Sequence, residues 1–200
     1  MELFGTILAS IALNEMIISI IANSNKKHII AVGTSGSVYV FSYELILQKT
    51  IKVHNNWIWD VILLDNDTIV TCSEDGSMVL TNLNAASTKC LYKQNEALFS
   101  LCNTTNSIFI GTKNGNVIYF SLKGNTAKTI HLHKDIIRSI KYHKNEIITC
   151  GEDNKIMAYN PTTKLKRKIV QTDNFIQDTI VLNNQLYSAG FDGSITISAI

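Results

Sequence analysis

Apolar residues in this chain fall into short runs that recur at a long, nearly constant period. The runs come in pairs, each pair joined by a tight polar turn. Thr34-Ser35-Gly36 joins 29–32 to 38–41, Glu74-Asp75-Gly76 joins 68–72 to 78–80, and Lys113-Asn114-Gly115 joins 107–110 to 117–120. Glu152-Asp153-Asn154 joins 147–150 to 156–159, and Phe191-Asp192-Gly193 joins 186–189 to 195–197. The last residues of these turns are spaced 40, 39, 39 and 39 apart. Asp-Gly, Asn-Gly and Asp-Asn tolerate the positive φ that a tight hairpin turn demands, so each turn predicts one β-hairpin.

A second landmark keeps the same period. Asn14, His54, Gln94, His133 and Thr172 each stand four residues before an apolar residue (Ile18, Ile58, Leu98, Ile137 and Ile176), which predicts a strand ahead of each hairpin. A more polar strand is expected after each of the first four hairpins, at 45–53, 88–93, 127–132 and 165–170. Four strands per unit at a fixed period near 40 residues predicts an all-β, five-bladed β-propeller of four-stranded blades. The whole chain, 1–200, reads as one such domain, with blades at about 14–53, 54–93, 94–132, 133–171 and 172–200 plus 2–13. The fifth unit lacks its polar strand, and 2–13 offers a spare one. Pairing the N-terminal strand with the last blade would close the ring and remove two open sheet edges, which otherwise invite aggregation.

The chain resembles the WD-repeat family along its whole length. The matching features are His54 and His133, the small residue three before the turn glycine (Gly33, Ser73, Gly151, Gly190) and the turn acids Asp75, Asp153 and Asp192. The resemblance implies that a histidine of this kind hydrogen-bonds the turn aspartate, here His54 to Asp75 and His133 to Asp153. The Trp-Asp dipeptide of that family falls on Phe41-Ser42, Thr81-Asn82, Phe120-Ser121, Tyr159-Asn160 and Ser198-Ala199, so no repeat keeps it.

The apolar N-terminus has no basic leader and is interrupted by Asn14 and Glu15, so it reads as part of the fold and not as a signal or membrane segment. Charge is nearly balanced, 18 basic against 16 acidic residues, which argues against a nucleic-acid or membrane binder. Cys72, Cys90, Cys102 and Cys150 form no close pair and fit a reducing, cytoplasmic setting. The run Lys164-Leu165-Lys166-Arg167-Lys168 reads as an edge strand guarded by lysine.

No enzyme motif appears, and no cofactor or metal is expected. His131 and His133 share a strand face, but nothing in register supplies the third ligand zinc needs. Asp60 and Asp178 stand at equivalent places of two repeats, which points to a structural role and not to a catalytic pair.

The expectation for function is a non-catalytic scaffold, monomeric when free, that binds a protein or peptide. The alternative is a structural subunit whose ring is completed or capped by another chain. In WD-repeat proteins partners commonly dock where the innermost strands begin and the turns cluster. Around that rim the pattern places Trp57, Trp59, Phe99, Arg138, Phe175 and Gln177, with Glu74, Lys113, Glu152 and Phe191 just before the turn acids. Trp, other aromatics and Arg dominate interface hot spots.

Overall fold

The computed structural model describes residues 7–200. Nineteen strands make five antiparallel sheets, one per sequence repeat, in chain order. Sheet 1 holds β1 (Ile17–Asn23), β2 (His28–Gly33), β3 (Ser37–Ser42) and β4 (Leu47–Lys52). Sheet 2 holds β5 (Ile58–Leu63), β6 (Thr68–Ser73), β7 (Ser77–Asn82) and β8 (Ser87–Lys93). Sheet 3 holds β9 (Leu98–Asn103), β10 (Ser107–Thr112), β11 (Asn116–Ser121) and β12 (Thr126–His131). Sheet 4 holds β13 (Ile137–His143), β14 (Glu146–Gly151), β15 (Lys155–Tyr159) and β16 (Lys166–Gln171), and sheet 5 holds β17 (Ile176–Leu182), β18 (Gln185–Gly190) and β19 (Ile195–Ala199).

The turn chemistry works as the dipeptides predict. Gly36, Gly76, Gly115 and Gly193 have φ of 76, 78, 78 and 81°, and Asn154 takes the same place at 64°. Each turn sets one register, pairing Val32 with Val38, Cys72 with Met78, Gly111 with Val117, Cys150 with Ile156 and Ala189 with Ile195.

The inner strands of sheets 2 to 4 are apolar on both faces because each of these sheets is packed between two others. Four interfaces make four cores. Ile30, Val32, Val38 and Val40 of sheet 1 meet Ile58, Val61 and Ile69 of sheet 2. Val70, Cys72 and Met78 then meet Leu98, Leu101 and Ile108 of sheet 3. Phe109 and Val117 meet Ile137, Ile140 and Ile147, and Ile148, Cys150 and Ile156 meet Ile176 and Leu186. The outermost strands β4, β8, β12 and β16 are mostly exposed, which is why their sequence is polar.

Ring closure is not seen among the described residues. β1 packs on β5, β5 on β9, β9 on β13 and β13 on β17, but β17 and β1 are not packed together in this way. Sheet 5 has three strands among the described residues. Residues 7–13 form no strand and are largely exposed; residues 2–6 of the expected closing strand lie outside the described residues. The physical reason is visible in the segment. Ile7, Leu8 and Ile11 are all exposed, so none of them is packed into a core.

Blade 1 also departs in phase. β1 pairs Ile17 with Gly33, as β5 pairs Ile58 with Ser73, so Ile17 and not Ile18 is the counterpart of Ile58. The extra residue sits in the β1–β2 connection, Ser24 to Lys27, where turn composition hides an insertion from a period count.

Candidate binding rim and central channel

Each first strand carries a β-bulge near its start. The register slips between Ile17 and Ser19, Ile58 and Asp60, Ile137 and Ser139, and Ile176 and Asp178; in sheet 3 it slips opposite Phe99, between Gly111 and Thr112. The residues left unpaired are Ile18, Trp59, Phe99, Arg138 and Gln177. A bulge re-aims the side chain it carries, and all five line one channel of about 540 Å³ on the axis.

Three of them, Trp59, Phe99 and Arg138, cluster with Trp57. The Trp57 and Trp59 rings lie 5.5 Å apart, and Trp59 lies 4.6 Å from Phe99. The Arg138 guanidinium stands 5.6 Å from the centroid of Trp59 and 5.3 Å from that of Phe99, within cation–π range. The turns hold this cluster in place. Trp59 Nε1 donates to Glu74 Oε2 at 2.6 Å, and Arg138 Nε donates to Glu152 Oε1 at 2.7 Å. Glu74 and Glu152 are repeat-equivalent, so the same turn position orients the bulged residue in sheets 2 and 4.

The expected rim residues therefore divide. Trp57, Trp59, Phe99, Arg138, Glu74 and Glu152 come together in one patch. Phe175 and Phe191 form a separate tilted pair, 4.6 Å between centroids, with Phe191 strongly exposed. Gln177 lines the channel, and Lys113 is exposed with no side-chain hydrogen bond or ion pair among the described residues. Phe99 is buried beneath Trp59 and Arg138, so it supports the surface and does not present itself to a partner. Trp57 keeps 39% of its surface exposed and is the outermost member.

The histidine pairs implied by the WD-repeat resemblance are present. His133 Nδ1 lies 2.7 Å from Asp153 Oδ1 and its Nε2 2.8 Å from Thr149 Oγ1. His54 Nδ1 lies 3.3 Å from Asp75 Oδ2 and 2.9 Å from Ser77 Oγ, with Nε2 2.7 Å from Thr71 Oγ1. Burial pushes the proton affinity of both imidazoles down, against the pull of their carboxylates. Burial opposes ionisation of Asp75 too, but hydrogen bonds from Ser77 and Asn55 and the nearby His54 hold its carboxyl at about 2. With both ring nitrogens engaged, His133 is committed to the blade, and His131 instead contacts Asn116 Oδ1 at 3.1 Å.

Asp60 is a joint between sheets. Its Oδ1 accepts from Ser19 Oγ of sheet 1 at 3.1 Å and from its own Val61 N–H at 2.8 Å, while Oδ2 accepts Leu101 N–H of sheet 3 at 2.9 Å. Burial raises its pKa, opposed by those hydrogen bonds. Burial likewise holds the thiols of Cys102 and Cys150 protonated, pushed up to about 11 and about 12. Among the described residues no three His, Cys, Asp or Glu side chains converge as a metal site would need.

Residues 6–187 match the family model of the NUP159/214 beta propeller. The chain belongs to that family. The WD-repeat resemblance thus holds at the level of the propeller fold, and the match supports an interaction scaffold over a catalyst. No curated protein matches the chain.

Proposed function

We propose that this propeller is a non-catalytic scaffold that binds a protein segment on the rim formed by Trp57, Trp59, Arg138, Glu74 and Glu152. The observation that carries the reading is the layered stack of Trp57, Trp59, Phe99 and Arg138, drawn from three sheets and oriented by glutamates on two turns. Aromatic and Arg side chains already fixed in place lose little entropy on binding, so their contact area converts efficiently into affinity. The channel beneath is lined by unlike residues from the five sheets, which suits an irregular peptide better than a repeated small ligand. Membership in a family named for nucleoporins supports a place in a large protein assembly.

The test is affinity capture with the native chain and with Trp57→Ala and Arg138→Ala, read by mass spectrometry. A protein retained by the native chain and lost from both variants, with their melting curves close to native, supports the rim. Unchanged capture by both variants ends this reading.

A further inference from the structure

An outermost strand leaves one row of backbone N–H and C=O groups without a neighbour, and proteins blunt such edges with bulges and lysines. Of β4, β8, β12 and β16, three are blunted in both ways. The register of β4 slips opposite Val40 and Phe41, and the strand carries Lys49 and Lys52. That of β8 slips opposite Met78 and Val79, with Lys89 and Lys93 on the strand. That of β16 slips opposite Ile156 and Met157, with Lys166, Arg167 and Lys168. β12 differs. It pairs with β11 without a slip from Asn116 and His131 to Ser121 and Thr126, and it carries Lys128 alone.

The free row of β12 can be assigned. Gly115 O accepts Leu132 N–H at 3.1 Å, which makes Asn116 and His131 a pair that exchanges no backbone hydrogen bond. His131 therefore turns its N–H and C=O away from β11, and Lys166 Nζ of sheet 4 donates to that carbonyl at 2.9 Å. Alternation along the strand turns Thr129 and Ala127 the same way. Residues 126–129 are all exposed, and the outward groups of Ala127 and Thr129 have no hydrogen-bond partner among the described residues.

The charge around this edge is one-sided. Residues 97–134 contain no Asp or Glu, whereas each of the other four repeats holds at least two. Lys113, Lys123, Lys128 and Lys134 are exposed, and none forms an ion pair among the described residues. Lys128 lies in mid-strand and Lys123 in the turn that leads into β12. A second copy of the chain would bring the same carboxylate-free edge against itself. The most closely spaced acids, Glu74-Asp75, Glu152-Asp153 and Asp65-Asn66-Asp67, lie in connections of sheets 2 and 4, so the described residues offer no extended acidic segment.

We propose that the outer edge of β12 binds an extended acidic segment of a partner protein by strand addition. The backbone groups of Ala127 and Thr129 pair with the added strand, and Lys128 and Lys123 face its carboxylates. Facing side chains in such a pair lie about 5 Å apart, close enough for opposite charges to select the partner. Backbone pairing supplies the affinity in this mode and the facing side chains the selectivity. β12 is the outermost strand of its sheet and the aromatic cluster lies on the axis, so the two sites are separate.

The probe is a synthetic peptide of alternating glutamate and threonine, with its lysine and threonine counterpart as control. In the free chain the amides of Ala127 and Thr129 should exchange quickly, while β11 protects those of Lys128 and Ile130. The glutamate peptide is expected to slow exchange at Ala127 and Thr129 by about tenfold or more. Lys128→Glu should weaken that binding by about fivefold or more. Thr129→Pro removes one outward N–H at an edge where proline is tolerated, and should abolish the binding with a near-native melting curve. No slowing at either amide, equal slowing by the lysine peptide, or slowing unaffected by Lys128→Glu overturns the proposal. The source is tested with a photo-crosslinking residue at position 127 of the full chain in its native cell. A crosslink into an acidic segment of another protein, retained with Trp57→Ala and lost with Lys128→Glu, supports the partner strand. Crosslinks only within this chain, to a second copy or to segments without carboxylates, or none at all, overturn it.

Discussion

Arg138 and Trp59 belong to sheets that are not neighbours, yet the guanidinium lies 5.6 Å from the indole centroid. The contact spans the axis and ties sheets 2 and 4 together above sheet 3, whose Phe99 completes the sandwich at 5.3 Å from the same cation. Both partners are bulged residues, so the contact exists only because two strands break register at the same point.

Arg138→Ala is expected to lower stability by about 1 kcal/mol and to shift the tryptophan emission, since Trp59 loses its cation and gains water. Arg138→Lys restores only part of the effect, because an ammonium cannot lie flat on the ring and chelate Glu152 together. Urea titration followed by fluorescence reads both.

His133→Ala is expected to cost about 3 kcal/mol, because it opens a cavity and strands Thr149 Oγ1 and Asp153. Acid should weaken the native chain by the same groups. The folded imidazoles hold protons less readily than unfolded ones, so stability is fully present above the unfolded histidine value of about 6.5 and falls as pH drops below it. Asp75 adds a second loss below about 4, continuing toward its folded value of about 2. The urea midpoint should therefore fall between pH 7.5 and 5.5, and His54→Gln with His133→Gln should flatten that slope.

Gly76→Ala and Gly193→Ala probe one turn in two settings. Both require positive φ, which disfavours alanine by about 1 kcal/mol. At Gly76 a Cβ also runs into the carbonyls of Gln94 and Glu96, so that variant is expected to lose at least about 2 kcal/mol. Gly193→Ala should lose only the conformational part. Equal melting-temperature losses in the two variants would contradict the open flank.

Met78→Asp and Ile195→Asp place a charge at one register position of two sheets. Burying an unpaired carboxylate in sheet 2 should prevent folding, since Met78 is enclosed by sheet 3. The same change in sheet 5 stays within about 0.5 kcal/mol of native, as surface changes do. Circular dichroism of the two purified variants is sufficient.

The sequence by itself determined the repeat and the hairpins, and its WD-repeat resemblance implied the histidine locks. Turn dipeptides and strand patterns are local signals, and each blade is a local hairpin with one strand on either side. The rim was legible in part for the same reason: Trp57, Trp59, Glu74, Arg138 and Glu152 lie next to landmarks that recur with the period. Tertiary structure alone decided that Phe99 sinks beneath Arg138, because bulges, invisible in a period count, set where those side chains aim. It also decided the one-residue slip in sheet 1 and the uncovered faces of sheets 1 and 5. An apolar strand reads the same in sequence whether or not a neighbour covers it, since burial on that face depends on how far the curvature of the arc carries the next sheet.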